Sequence, residues 1–178
     1  MKYLTNQLFY KYKNKNNLIL KEKEIRNLKP NEVLVKIQLV AICRTDLHII
    51  DEEINANYPI VPEHQIEGNV VNVGINVENF QIGDKVGIYW LYQTCNNCKF
   101  CFNGLDNLCD NALFTGYNIN GGYANYIIAN SNFIANLNDV NNYTDYEIAP
   151  LLCGGIIGYR AFSFIKELNR IWNLWIRI

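Results

Sequence analysis

A mainly β fold with a helical C-terminal segment is what this 178-residue sequence predicts. Three features carry the prediction. Short β-branched stretches alternate with turns containing Gly, Pro or Asn. Four cysteines crowd into residues 95–109. A capping-box spacing at Thr144 and Glu147 then opens an apolar pattern of helical period.

In chain order, Leu18 to Lys23 reads as a short strand. Pro30-Asn31 supplies a turn, and Glu32 to Val40 follows with alternating Val, Leu and Ile, a good strand. Ile66 to Val77 is a strand region, interrupted at Gly68 and Gly74. Gln81 to Val86 is a turn entering a strand, with Gly83-Asp84 suited to turn dihedrals. Gly121-Gly122 opens a strand over Tyr123 to Ala129. Such strands suit a barrel or sandwich. From Tyr146 to Leu168 one or two helices are expected, loosened at Gly154, Gly155 and Gly158. Residues 169–178 carry Trp172 and Trp175 and have nothing evident to pack against, an aberrant tail.

Sixteen Lys and Arg balance seventeen Asp and Glu. With no basic surplus, a nucleic-acid partner is not expected. No apolar run is long enough to span a membrane, and the first residues lack a secretory pattern, so the expected location is cytoplasmic. The 28 Asn are spread through the strand patterns and read as a codon bias.

Cys95, Cys98, Cys101 and Cys109 form Cys-x2-Cys-x2-Cys-x7-Cys. Four thiolates at this spacing can close a tetrahedron around Zn2+, with Gly104 supplying the left-handed turn that brings the chain back. A ferredoxin-type cluster has a shorter last gap followed by Pro, whereas Asp110 follows here. The remaining cysteines, Cys43 and Cys153, and the two histidines, His48 and His64, are far apart in sequence. Taken singly, the two cysteines read as small buried groups and His64 as a turn histidine. Thr45 and Asp46 read equally well as caps of a helix that starts after a strand.

Six segments change that reading. They are Cys-Arg-Thr-Asp-Leu-His (43–48), Pro-Glu-His-Gln-Ile-Glu-Gly (62–68), Gly-Asp-Lys-Val-Gly (83–87), the four-cysteine run, Gly-Gly-Tyr-Ala-Asn-Tyr (121–126) and Ala-Pro-Leu-Leu-Cys-Gly-Gly (149–155). In this order they resemble the N-terminal catalytic domain of the zinc-dependent medium-chain alcohol dehydrogenases, over roughly residues 18–165. The resemblance implies a GroES-like β-barrel over residues 1–145, with a zinc lobe at about 92–112. A helix in 146–178 would lead towards a Rossmann domain. It also implies two Zn2+, one structural in the four-cysteine lobe and one catalytic on Cys43, His64 and Cys153. Thr45 would pass on the alcohol proton, His48 would end that relay near bulk water, and Asp46 would orient His64. The implied reaction interconverts a small alcohol and its aldehyde or ketone with NAD or NADP.

The chain departs from that family in two ways. Where the family has Gly-His-Glu, this chain has Glu63-His64-Gln65. Glu63 is expected to strain a turn that wants φ > 0, and Gln65 to make the centre more positive by one charge. No Gly-x-Gly-x-x-Gly follows a strand, and Gly154-Gly155-Ile156-Ile157-Gly158 is not that fingerprint. A missing Rossmann half and a chain inactive alone are therefore expected. The alternatives are a non-catalytic zinc-binding remnant, or one chain of a split enzyme whose Rossmann half is separate.

Overall fold

The computed structural model describes residues 5–14 and 17–165. Strands β1 (Thr5–Lys11) and β2 (Leu18–Glu24) form an antiparallel hairpin. A five-stranded antiparallel sheet is built from β3 (Glu32–Val40), β4 (Ile66–Val73), β5 (Lys85–Ile88), β8 (Tyr126–Asn130) and β9 (Ile134–Asn136), in the order β8-β3-β4-β5-β9. The short pair β6 (Leu91–Gln93) and β7 (Leu113–Phe114) flanks the cysteine lobe. Among the described residues there are four short α-helices: α1 (Arg44–Ile50), α2 (Lys99–Phe102), α3 (Asp145–Ile148) and α4 (Gly154–Ser163). Among the described residues, no helix is long and apolar enough to cross a membrane.

The expected strand at Glu32–Val40 forms with those bounds. Val33 and Val35 point into the core with Ile66, Val70, Val86, Ile88, Ile127 and Ala129. Register shifts at Leu34/Val35 and Ile37/Leu39 interrupt the β3–β4 ladder. Bulges of this kind increase local twist, which curls the sheet. Several boundaries differ from expectation. Gly68 lies inside β4 and does not end it, because the β3 backbone passes so close that an added Cβ would meet the Lys36 carbonyl oxygen. The strand expected at Tyr123 begins at Tyr126, since Tyr123 N–H and Ala124 N–H are spent on the carbonyls of Pro62 and Gly122. Of the one or two helices expected over 146–168, two form within the described residues, α3 and α4, joined by a 3-10 turn at Ala149–Leu152. The tail expected to be aberrant from residue 169 lies outside the described residues.

Arg26 fastens the link after the hairpin. Its two terminal nitrogens donate to Glu32 at 2.6 and 2.8 Å, and Lys29 N–H donates to the same carboxylate at 2.8 Å. Burial opposes ionisation of Glu32, but these donors outweigh it and hold its carboxyl below the usual carboxylate range. The resulting stability is present above the ordinary carboxylate pKa and is lost as pH falls through the depressed one. Glu32→Ala is expected to cost about 2 kcal/mol at neutral pH, the scale of hydrogen bonds to a charged group. The difference from the parent should shrink in acid, and urea unfolding at the two pH values measures it.

Candidate metal centres

The four-cysteine lobe assembles locally. Cys98 caps α2, which is one helical turn, and Phe102 N–H donates to the Cys98 carbonyl at 3.1 Å. Gly104 takes φ +67°, the left-handed conformation expected of it. A 3-10 turn at Asp106–Leu108 then delivers Cys109. The Sγ separations are 3.5 Å for Cys98–Cys101, 3.5 Å for Cys95–Cys109 and 3.9 Å for Cys95–Cys101. A tetrahedron with bonds of about 2.3 Å has edges of about 3.8 Å, so the spacing fits zinc. It does not fit disulfides, whose sulfurs sit about 2.05 Å apart, and all six cysteines are free.

The second cluster joins three separate parts of the chain. Cys43, at the end of β3, is the N-cap of α1. Neither Thr45 nor Asp46 is that cap. Asp46 instead accepts the Cys43 N–H at 2.8 Å from the third helical position. His64 stands in the segment that leads into β4. Cys153 ends the 3-10 turn, and this turn is held on the sheet by Leu152, whose side chain fills the space over Gly87 of β5. The ligand atoms of Cys43, His64 and Cys153 all lie within 4.8 Å of one another, with the two sulfurs 4.0 Å apart. This again matches a tetrahedral edge and supplies only three donors, leaving one position for another ligand.

The electrostatics fit a cation. Hydrogen bonds from Cys153 and His64 hold the Cys43 thiol down to about 3, against the opposing effect of burial. The same shared hydrogen bond pushes Cys153 up, and burial adds to the rise. Without a cation one thiolate therefore forms readily and the second does not. A divalent ion would remove that penalty, so binding should release a proton. The buried His64 Nδ1 and Asp46 Oδ1 have no hydrogen-bond partner and lie 3.9 Å apart. Burial raises the Asp46 carboxyl above the usual range.

Thr45 and His48 lie on α1 with Cys43 at its start. Thr45 Oγ1 is 3.6 Å from Cys43 Sγ. His48 is part-exposed on the following turn, outside the cluster, and its Nδ1 contacts the Glu53 carboxylate. Gln65 is occupied, because its side-chain nitrogen donates to the Ala41 carbonyl at 2.6 Å. Glu63 takes φ +88°, the conformation expected to strain it. Trp90 is a neighbour that sequence reading missed. Its ring meets His64 edge-on at 4.9 Å and stacks on Phe114 at 5.0 Å. In Gly-Ile-Tyr-Trp-Leu-Tyr it looks like one more strand residue, and nothing local marks it. A cavity of about 460 Å3 lies elsewhere, beside the β1–β2 hairpin and lined by Tyr10, Arg26 and Tyr92 among others.

A curled β domain thus carries a four-thiolate lobe and a separate Cys-His-Cys cluster, each of which could hold a metal ion. The alcohol dehydrogenase GroES-like domain profile matches residues 29–139, and the chain belongs to that family. It is 41% identical over 151 residues to an alcohol dehydrogenase of Geobacillus stearothermophilus, covering 84% of this chain and 44% of that protein. It is 34% identical over 158 residues to an alcohol dehydrogenase of Moraxella, covering 88% and 46%. Among solved structures, CAD from Helicobacter pylori complexed with NADP(H) superposes with a TM-score of 0.82 at 28% identity, over 92% of this chain and 50% of that one. The chain thus spans less than half the length of the curated relatives it matches.

Proposed function

We propose that this chain is the metal- and substrate-holding part of a zinc-dependent alcohol dehydrogenase, interconverting a small alcohol and its aldehyde or ketone with NAD or NADP. The observation that carries the reading is the convergence of Cys43, His64 and Cys153 with one position left over. Zinc bound there would act as a Lewis acid on the substrate oxygen. The four-cysteine lobe would hold a second, structural zinc.

The chain's own groups supply the rest. Asp46 accepts from His64 Nδ1 once the two close, which fixes the tautomer and leaves Nε2 for the ion. Thr45, beside Cys43, takes the proton leaving the alcohol. His48, one helical turn on and in contact with water and Glu53, passes it to solvent. Trp90, packed edge-to-face with His64, offers an apolar wall for the carbon chain of the substrate.

Hydride transfer also needs a nicotinamide held about 3–3.5 Å from the reacting carbon. This sequence contains no Gly-x-Gly-x-x-Gly to bind one. The apolar side chains that α4 leaves exposed, Ile157, Tyr159 and Phe162, suit the packing of a nucleotide-binding half, in the same polypeptide or a separate one. A second reading is a zinc-binding remnant without turnover. Metal analysis and NADH fluorescence on the 178-residue polypeptide test the proposal. We expect two zinc ions per chain, no saturable NADH binding at micromolar concentration and no alcohol-dependent reduction of NAD or NADP. A Rossmann half added in trans, or fused, should restore turnover if the enzyme reading holds, and should leave the chain inert if the remnant reading does. Robust turnover by the polypeptide alone would overturn the division of labour proposed here.

A further inference from the structure

The segment that carries His64 is held by an unusual residue. Glu63 adopts a left-handed backbone that L side chains rarely take, and its side chain is fully buried. Its Oε1 accepts the N–H of Gln65 at 2.5 Å, closing a clamp across His64. Both sides of the segment are also fixed by backbone. Gly122 N–H donates to the Glu63 carbonyl at 3.1 Å, and Gly121 N–H to the Val61 carbonyl at 2.7 Å. On the other side, Ala41 N–H donates to the Gln65 carbonyl at 3.0 Å.

The slot is made for this side chain. A Cβ at Gly122 would meet Glu63 Oε2, and Cβ atoms at Gly116 and Gly121 would meet the Glu63 backbone. Oε2 itself is buried without a hydrogen-bond partner. A side chain that merely filled this space would be apolar, since a buried, unpaired oxygen is costly. What the carboxyl gains there is the Oε1 bond, and that bond fixes the residue on the far side of His64.

We propose that Glu63 is a positioning residue of the Cys43–His64–Cys153 centre: its carboxyl clamps the turn that presents His64, and metal affinity at this centre depends on the clamp. The proposal rests on the reading that these three residues hold a metal.

Glu63→Gly and Glu63→Gln separate the possibilities. Glycine relieves the backbone and deletes the clamp, so that variant should fold at least as stably as the parent. Glutamine keeps an oxygen that can accept from Gln65 N–H. Cobalt(II) titration of the full chain resolves the mixed sulfur–nitrogen centre from the four-sulfur centre by their absorption bands, and competition with a chromophoric chelator gives the affinities. In Glu63→Gly we expect about tenfold or more weaker binding at the three-ligand centre, the range typical of residues that orient metal ligands. The four-cysteine centre should be unchanged and the unfolding midpoint equal or higher. Glu63→Gln should stay within about threefold of the parent, below that range. Unchanged affinity in Glu63→Gly, or a loss in Glu63→Gln as large as in Glu63→Gly, overturns the proposal. A purely structural role would lower the midpoint and leave the affinities alone. A parent chain that takes up one ion only would overturn the reading of the centre itself, a result read before either variant is made.

Discussion

Cys98→Ser is expected to cost the chain one zinc ion and to unfold the lobe around it while leaving the sheet standing. Four thiolates sharing about 10–16 kcal/mol of binding free energy supply about 3 kcal/mol each, roughly a hundredfold in affinity. The lobe has little else to hold it. Phe102 is largely exposed, Leu105 and Leu108 partly so, and α2 is one turn long with no buried residue. The sheet core of Val33, Val35, Ile66, Val70 and Val86 draws on none of these residues. Metal analysis should therefore fall from two zinc ions to one. Amide exchange should accelerate over residues 95–109 and stay slow in β3 and β4. Iron in the purified protein, or undiminished zinc in the variant, would refute the assignment of the lobe.

His64→Ala should do the reverse. The three-ligand centre loses its only nitrogen donor and should empty at micromolar zinc, while the four-cysteine lobe keeps its ion. The cobalt-loaded variant should retain the spectrum of a four-sulfur site and lose the second set of bands. The proton released when the centre fills should vanish with it, because Cys153 stays protonated unless a cation joins Cys43. Thr45→Ala is the matching control. It keeps all three donors, so it should keep both ions while removing the hydroxyl proposed to carry the alcohol proton. A parent protein that shows only a four-sulfur spectrum would mean that Cys43, His64 and Cys153 do not bind together.

The parts of this protein legible in the sequence are those whose causes are local. The strand at Glu32–Val40 is written in its alternating Val, Leu and Ile, and the structure returns it with the same ends. Glu147 at the third position after Thr144 caps α3 as its spacing requires, with Thr144 N–H donating to it at 2.8 Å. The strands β1, β6, β7 and β9 were not foreseen. Three of them have only two or three residues, too few to show a period, and β1 is secured by its hairpin partner and by backbone bonds to Tyr123 and Ile60.

The sequence by itself determined the four-cysteine lobe, because one helical turn and one left-handed glycine bring four sulfurs together within fifteen residues. The positive φ at position 63 was expected only through the family resemblance, and Glu63 takes it. The second cluster was named in the sequence only through the family resemblance, and it is the tertiary structure that brings its three ligand atoms within 4.8 Å of one another. Cys43 arrives on the cap of α1, His64 on a clamped turn before β4, and Cys153 on a turn pinned by Leu152 to β5. No local rule relates these three positions, since each is placed by packing on a different strand of one curled sheet. The same is true of Trp90, whose place against His64 depends on where β5 ends relative to β4.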